Sequence, residues 1–366
     1  MRKLTDISNT EGAARKFLLR MLPVVLATLF AWLHAGGQAA QQTSAATEPF
    51  KFFREYVHLD EKQIQSIRNG EAVARVLDAP TADQVFVFGA VYVKSTPEKY
   101  LAMASDVDAL RKLPNYLAIV KFSNPPKLSD LDQLKLEDKD IEELKKCKTG
   151  KCEVQLPSEA IDAFNAQVNW NAADAVDQAN ALARKMVLEM LVNYQQGGNA
   201  ALGTYRDKSH PAVVADTFRA LVSRSEAMPV YLPELRSYLL DYPKAKADHI
   251  QSQFYWEKVN FGLKPTVRVV QAVVYRGAAA TDPAYAVAVK QLYSSHYFES
   301  ALDLTVCERD QEGRGGFYIV TLKGSQQAGL TGFQGSIVRK VAVDKTRSSL
   351  EKALAAMKEK LEAEPK

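Results

Sequence analysis

The stretch that decides the fold is "ALDLTVCERDQEGRGGFYIVTL", residues 301–322. Leu302, Leu304 and Val306 alternate with Asp303 and Thr305. Successive residues of a strand point to opposite faces, so this is the pattern of a strand with one buried and one wetter face. "RDQEGRGG" (309–316) is rich in turn formers, and "FYIVTL" then resumes an apolar run. Two strands joined by so short a connection pair antiparallel. Upstream, "TVRVVQAVVYR" (266–276) is one more strand, and "AYAVAVKQLYSSHYFES" (284–300) continues the run. Cys307 falls in an apolar alternation and is expected as a buried strand thiol, with no neighbour in sequence that would lower its pKa.

Downstream, "AGLTGFQGSIVRKVAV" (328–343) is interrupted by glycines, and "DKTRSSLEKALAAMKEKLE" (344–362) is a firm helix. Leu350, Leu354, Met357 and Leu361 recur at three- and four-residue steps and form its buried stripe, and Ser348 with Glu351 has the spacing of a capping box. Earlier in the chain, "DQVFVFGAVYVKS" (83–95) is apolar on both faces, and "NYLAIVKF" (115–122) predicts a further strand. Between Ser158 and about Gln195, Ile161, Phe164, Val168, Ala179, Leu182 and Tyr194 mark a long helix or a helix pair, with a break at "NWNAAD" (169–174). "SQFYWEKVNFGLKPT" (252–266) gathers Phe254, Tyr255, Trp256 and Phe261, a cluster that fills a core or lines a pocket.

The expected fold is therefore α+β: an antiparallel sheet with a long C-terminal amphipathic helix, plus a helical middle region. The expected organisation is a signal peptide over 1–39, a disordered linker over 40–49 and an N-terminal α/β segment over 50–157. A helical region follows over 158–262, then the antiparallel sheet and terminal helix over 263–366.

The address comes from the N-terminus. Arg15, Lys16 and Arg20 precede an apolar run from Met21 to Ala35, and Gly37-Gln38-Ala39 supplies small residues. That order predicts an exported protein cleaved near Ala39, periplasmic or secreted. An uncleaved inner-membrane anchor is the alternative, and would be the protein's contact with a membrane. Beyond residues 1–39 the remaining 42 basic and 41 acidic residues nearly cancel, which gives no pull toward nucleic acid. In an oxidising compartment Cys147 and Cys152, flanking Lys148-Thr149-Gly150-Lys151, are expected to form a disulfide across a tight turn. Free thiols are the alternative. A zinc site would need further ligands nearby.

No motif names a reaction. There is no G-x-G-x-x-G after a strand, no phosphate-binding Walker sequence, no G-x-S-x-G and no H-E-x-x-H. No catalytic residue, metal or cofactor is assigned. "LEDKDIEEL" (136–144) lacks the ligand spacing of a calcium loop and is expected as a solvated helix face. "SSHYFES" (294–300) holds His296 with Ser294, Ser295 and Glu299, from which a hydrolase using His296 as base can be drawn.

The strand series ending in a long amphipathic helix resembles the C-terminal part of the START-like, or helix-grip, lipid-binding superfamily. There a curved sheet wraps the terminal helix around an apolar tunnel. The resemblance implies a non-enzymatic protein holding an apolar or lipid-like ligand, with Val274, Tyr293, Phe317 and Phe333 as candidate lining residues. The alternatives are an envelope structural or interaction protein with a filled core, and the hydrolase centred on His296.

Overall fold

The computed structural model describes residues 49–363, apart from 113–114, 262–263, 278–282 and 331; the side chains of 332–338 and 342 are also outside the description. The predicted signal peptide and linker lie outside the described residues, Pro49 excepted. Ten strands are present among the described residues: β1 (Val73–Leu77), β2 (Gln84–Val93), β3 (Tyr116–Lys121), β4 (Thr204–Tyr205), β5 (Ala212–Val213), β6 (Ile250–Val259), β7 (Thr266–Arg276), β8 (Tyr285–Ser294), β9 (Phe298–Arg309) and β10 (Phe317–Gln327). The α-helices are α1 (Pro49–Glu55), α2 (Glu61–Arg68), α3 (Pro97–Ser105), α4 (Val107–Arg111), α5 (Asp138–Leu144), α6 (Ser158–Gln167), α7 (Ala175–Gly197), α8 (Val214–Ser223), α9 (Met228–Tyr231), α10 (Pro233–Asp241) and α11 (Gly332–Glu362).

Eight strands form one sheet in the order β1-β2-β10-β9-β8-β7-β6-β3, and every pairing is antiparallel. The α+β class, the antiparallel sheet and the long terminal helix are thus all present. The 301–322 stretch forms the β9–β10 hairpin, with Leu304 opposite Leu322 and Val306 opposite Val320. "NWNAAD" is a true break, separating α6 from α7.

Both faces of the sheet are covered, which explains why β2 is apolar throughout. On one face Val85, Val87 and Val91 of β2 and Phe317 and Ile319 of β10 pack against Leu350, Leu354 and Leu361 of α11. On the other, Phe88 and Tyr92 meet Phe53, Ile64 and Ile67 of α1, α2 and the segment between them. Farther along this second face Leu302, Leu304, Ala286 and Val273 pack under α8–α10. Trp256 and Val269 pack under α7, and the Trp256 indole donates to the carbonyl of Asp130 at 2.8 Å.

Three readings are corrected. First, α11 runs unbroken from Gly332, so Ser348 is an interior residue of the helix and forms no cap. The Ser-x-x-Glu spacing is local and also arises inside a helix. Second, the range read as helical, 158–262, contains β6, which carries most of the aromatic cluster. Its side chains are large on both faces, so no polar alternation betrays it. Third, "LEDKDIEEL" is not simply a solvated face, because Asp140, Ile141 and Leu144 of α5 are buried.

Two glycines make close approaches possible. Gly198, at φ 61°, ends α7 where a Cβ would lie 1.7 Å from the carbonyl oxygen of Tyr242. Gly89 of β2 lies directly under α11, where a Cβ would come within 2.7 Å of Leu354 Cδ1 and 2.8 Å of a Leu350 methyl. A larger residue there must push the helix off the sheet. Gly89→Val is therefore expected to destabilise the fold by about 2 kcal/mol, as overpacked cores do. Denaturant unfolding measures it, and an unchanged midpoint would show that α11 is not seated as described.

Candidate functional site

On the second face of the sheet the helices do not close completely. A cavity of about 400 Å³ lies between α1 and the end of α8 with the loop beyond it. Its floor is the sheet, with Phe86, Leu302, Leu304, Leu322 and Gly324, and its walls include Phe52, Tyr56 and Leu221. Gly324 leaves room at the floor: a Cβ there would meet Phe86 at 3.0 Å and Leu221 at 3.3 Å. Three elements set the geometry. β9 and β10 present Leu302, Leu304, Leu322 and Gly324 here, while Cys307, Phe317 and Ile319, an odd number of positions away, join the cluster on the α11 side. A turn at His58, at φ 56°, brings the chain back from α1 toward α2. The α8–α9 loop lines one side with Arg224, Ser225, Glu226 and Ala227.

A smaller cavity of about 60 Å³ adjoins it. The two share Phe52, Ala227, Met228, Leu304 and Leu322, and the smaller one reaches on to Leu232, Val306 and Val320. Charged residues stand around the larger opening: Glu55, His58, Asp78, Arg224 and Glu226 are exposed, and Arg75 is half-buried.

Of the four residues proposed from the sequence, Val274, Tyr293 and Phe317 line neither cavity. Phe317 is fully buried in the core beneath α11. Val274 is half-buried on the α11 side of the sheet, in register with Val287. Tyr293 packs between the cluster under α7 and that around the disulfide, 6.2 Å from the ring of Tyr205. Burial pushes its phenol far above the usual range. Phe333 belongs to α11, and its side chain lies outside the described residues. The cavity residues escaped notice because an apolar strand side chain looks the same whether it faces a void or a helix. The exception is Arg75 in "VARVL" (73–77), a cation inside an apolar strand, which is a legible signal of a polar demand there.

His296 is 3 % exposed and lines neither cavity. Its Nδ1 lies 3.0 Å from the Glu153 carbonyl oxygen, and its Nε2 lies 3.1 Å from both carboxylate oxygens of Asp140. Satisfying both takes a proton on Nδ1 and one shared between Nε2 and the carboxylate. Ser294 Oγ donates to the His296 carbonyl, and Ser295 Oγ accepts from Val267 N–H, so neither hydroxyl is placed to lose a proton to the ring. The residue sits in a strand-to-strand turn and shares no helical face with Glu299. The hydrolase reading is thereby without a reachable base. The histidine instead ties α5 and the disulfide segment to the β8–β9 turn.

That segment is held at several points. Cys147 and Cys152 are joined by a disulfide, with Cα atoms 4.6 Å apart and Lys148 bridging Lys151. Gly150 N–H donates to Arg206 O, Cys152 N–H to Asp207 O, and Gln155 N–H to Ser295 O. Cys307 is free and fully buried, and burial pushes its thiol well above the ordinary value.

A buried lysine stands apart from the cavity. Lys290 of β8 is 0 % exposed. Its Nζ donates to the Tyr194 hydroxyl at 2.9 Å, to Asn199 Oδ1 and toward Leu239 O, and it lies 4.2 Å from the centre of the Phe218 ring. Tyr194 passes the chain on to Gln271, and Gln271 to Ser252. No carboxylate pairs with it among the described residues, and burial pushes its pKa down to about 7. Among the described residues no group of three metal-ligating side chains occurs, and no helix is long and apolar enough to cross a membrane.

No protein-family model matches the chain, and no curated protein does. Among solved structures, the crystal structure of Ara h 8.0201 aligns with 40 % of this chain and 90 % of its own length, at 13 % identity and a TM-score of 0.17. A likeness that low carries no argument here about fold or ligand.

Two predictions follow from the buried polar groups. Asp140→Ala leaves His296 without its carboxylate and is expected to cost about 3 kcal/mol in denaturant unfolding, as breaking buried pairs does; a cost near zero would mean the pair holds nothing. For Lys290 the folded pKa lies below that of the unfolded side chain, near 10.4. Between about pH 7 and that value the unfolded chain binds the extra proton, so Lys290 adds stability as pH rises. Melting curves from pH 6 to 9 should show wild type gaining stability relative to Lys290→Met, and a constant difference would refute the depressed pKa.

Proposed function

We propose that the protein is an exported, non-enzymatic carrier or sensor of an apolar ligand, and that the ligand sits between the sheet and the α1 and α8–α9 elements. One observation carries this reading. The cavity of about 400 Å³ falls within the size of small-molecule sites and combines an apolar floor of Phe86, Leu302, Leu304 and Leu322 with charged side chains, Arg75 among them. An open cleft of this kind is filled by water, and an apolar ligand that displaces water from the leucine and phenylalanine floor gains by burying that surface.

Export rests on the basic-then-apolar N-terminus and on the disulfide, which suits an oxidising compartment. The filled-core alternative is less favoured, since it accounts for neither cavity.

Leu304 lines both cavities. Leu304→Trp introduces bulk where there is room for it, so the fold should survive while the ligand's space is lost. Titration of the full chain with the neutral dye Nile red is expected to show saturable fluorescence enhancement in wild type, with affinity at least about tenfold weaker in Leu304→Trp. Equal binding by the two, with both melting normally, would move the site elsewhere.

A further inference from the structure

We propose that the ligand of this cavity is a single-chain amphiphile with an anionic head, its head on Arg75 and its chain running over Leu304 toward Val306 and Val320. The inference rests on the cavity reading above and names its ligand class.

Register fixes the place of Arg75. It pairs across the strands with Phe88, and Leu77 with Phe86. Directly opposed residues of a sheet share a face, so Arg75 rises from the same surface as Phe86 and Phe88, among apolar neighbours. Lys323 also borders the cavity but belongs to the other face. It is in register with Val87, which packs on α11, and its Nζ lies 2.5 Å from Asp303. Arg75 is therefore the cation that the sheet itself offers to this space.

Arg75 is also incompletely used. A guanidinium has five N–H donors. One of them, on an Nη, meets the carbonyl oxygen of His58, and this is its sole hydrogen bond among the described residues. No carboxylate pairs with it: Glu55 lies 4.0 Å from Lys51, and neither Asp78 nor Glu226 forms an ion pair among the described residues. The bond to His58 fixes the group at the turn that closes α1, leaving its other donors for a planar, bidentate acceptor such as a carboxylate or phosphate.

The opposing charges do not cancel this. Glu55, Asp78 and Glu226 are exposed, where water screens them, while Arg75 is half-buried on the strand face it shares with Phe88. The exposed Arg224 adds positive charge at the same rim. The extension toward Leu232, Val306 and Val320 gives the other end of the ligand an almost wholly apolar berth. Polarity therefore runs one way along the joined cavities, and a ligand with one charged end and one apolar end matches it.

The test is calorimetric titration of the full chain with dodecanoate, dodecyl phosphate and dodecanol, each below the concentration at which it aggregates. Wild type is expected to bind at least one of the two anions about tenfold more tightly than dodecanol, the advantage shrinking as salt is raised. Preference between the anions tells carboxylate from phosphate. Arg75→Met should remove the advantage and Arg75→Lys retain part of it. Dodecanol binding as tightly as both anions would overturn the anionic head and leave the cavity reading standing. Failure of all three to bind would overturn both. An anion preference that survives in a folded Arg75→Met would overturn the role of Arg75. Should that variant not fold, the wild-type preference and its salt dependence decide the matter.

Discussion

The seating of α11 on β2 is the contact on which the rest depends. Leu350 and Leu354 reach the sheet over Gly89, and the absence of a side chain there lets the helix lie close. With that face occupied, β2, β9 and β10 must turn their other apolar residues somewhere else. α1, α2 and α8–α10 cover them. A sheet clothed on both faces needs strands that are apolar nearly throughout, and β2 is such a strand. The incomplete cover on the second face is what leaves a cavity.

Much of this architecture is legible in the residues, because local periodicity carries it. The Leu302–Leu304–Val306 alternation gives β9, the "RDQEGRGG" turn gives the hairpin, and the steps through Leu350, Leu354 and Leu361 give the terminal helix. What local pattern cannot carry is harder. β1 is five residues long, too short for a period to stand out. β6 is aromatic and bulky on both faces, so it lacks the polar alternation of a half-exposed strand. The glycines at 332 and 335 suggested an interruption, yet α11 passes through both.

The site was less legible than the fold, for a related reason. Val274, Tyr293 and Phe317 are apolar or aromatic strand residues, as Leu304 and Leu322 are. Which of them borders a void depends on how far α1 stands from α8, and those elements are separated by some hundred and sixty positions of sequence. Buried polar residues tell more. Arg75, Asp140, Lys290 and His296 each break an apolar or a solvated pattern, and each is in contact with a specific partner. Asp140 and His296 find each other across 156 positions, a pairing no local motif encodes.

The location of the cavity has a mechanical consequence. The cavity and the long terminal helix lie on different faces of the sheet. The cavity's margin is formed instead by α1, whose Phe53 packs on β2 and β10, by the His58 turn, which is bonded to Arg75 of β1, and by the short α8–α9 loop. A ligand held as proposed above would therefore be exchanged at one margin of the molecule, apart from the face on which the terminal helix is seated.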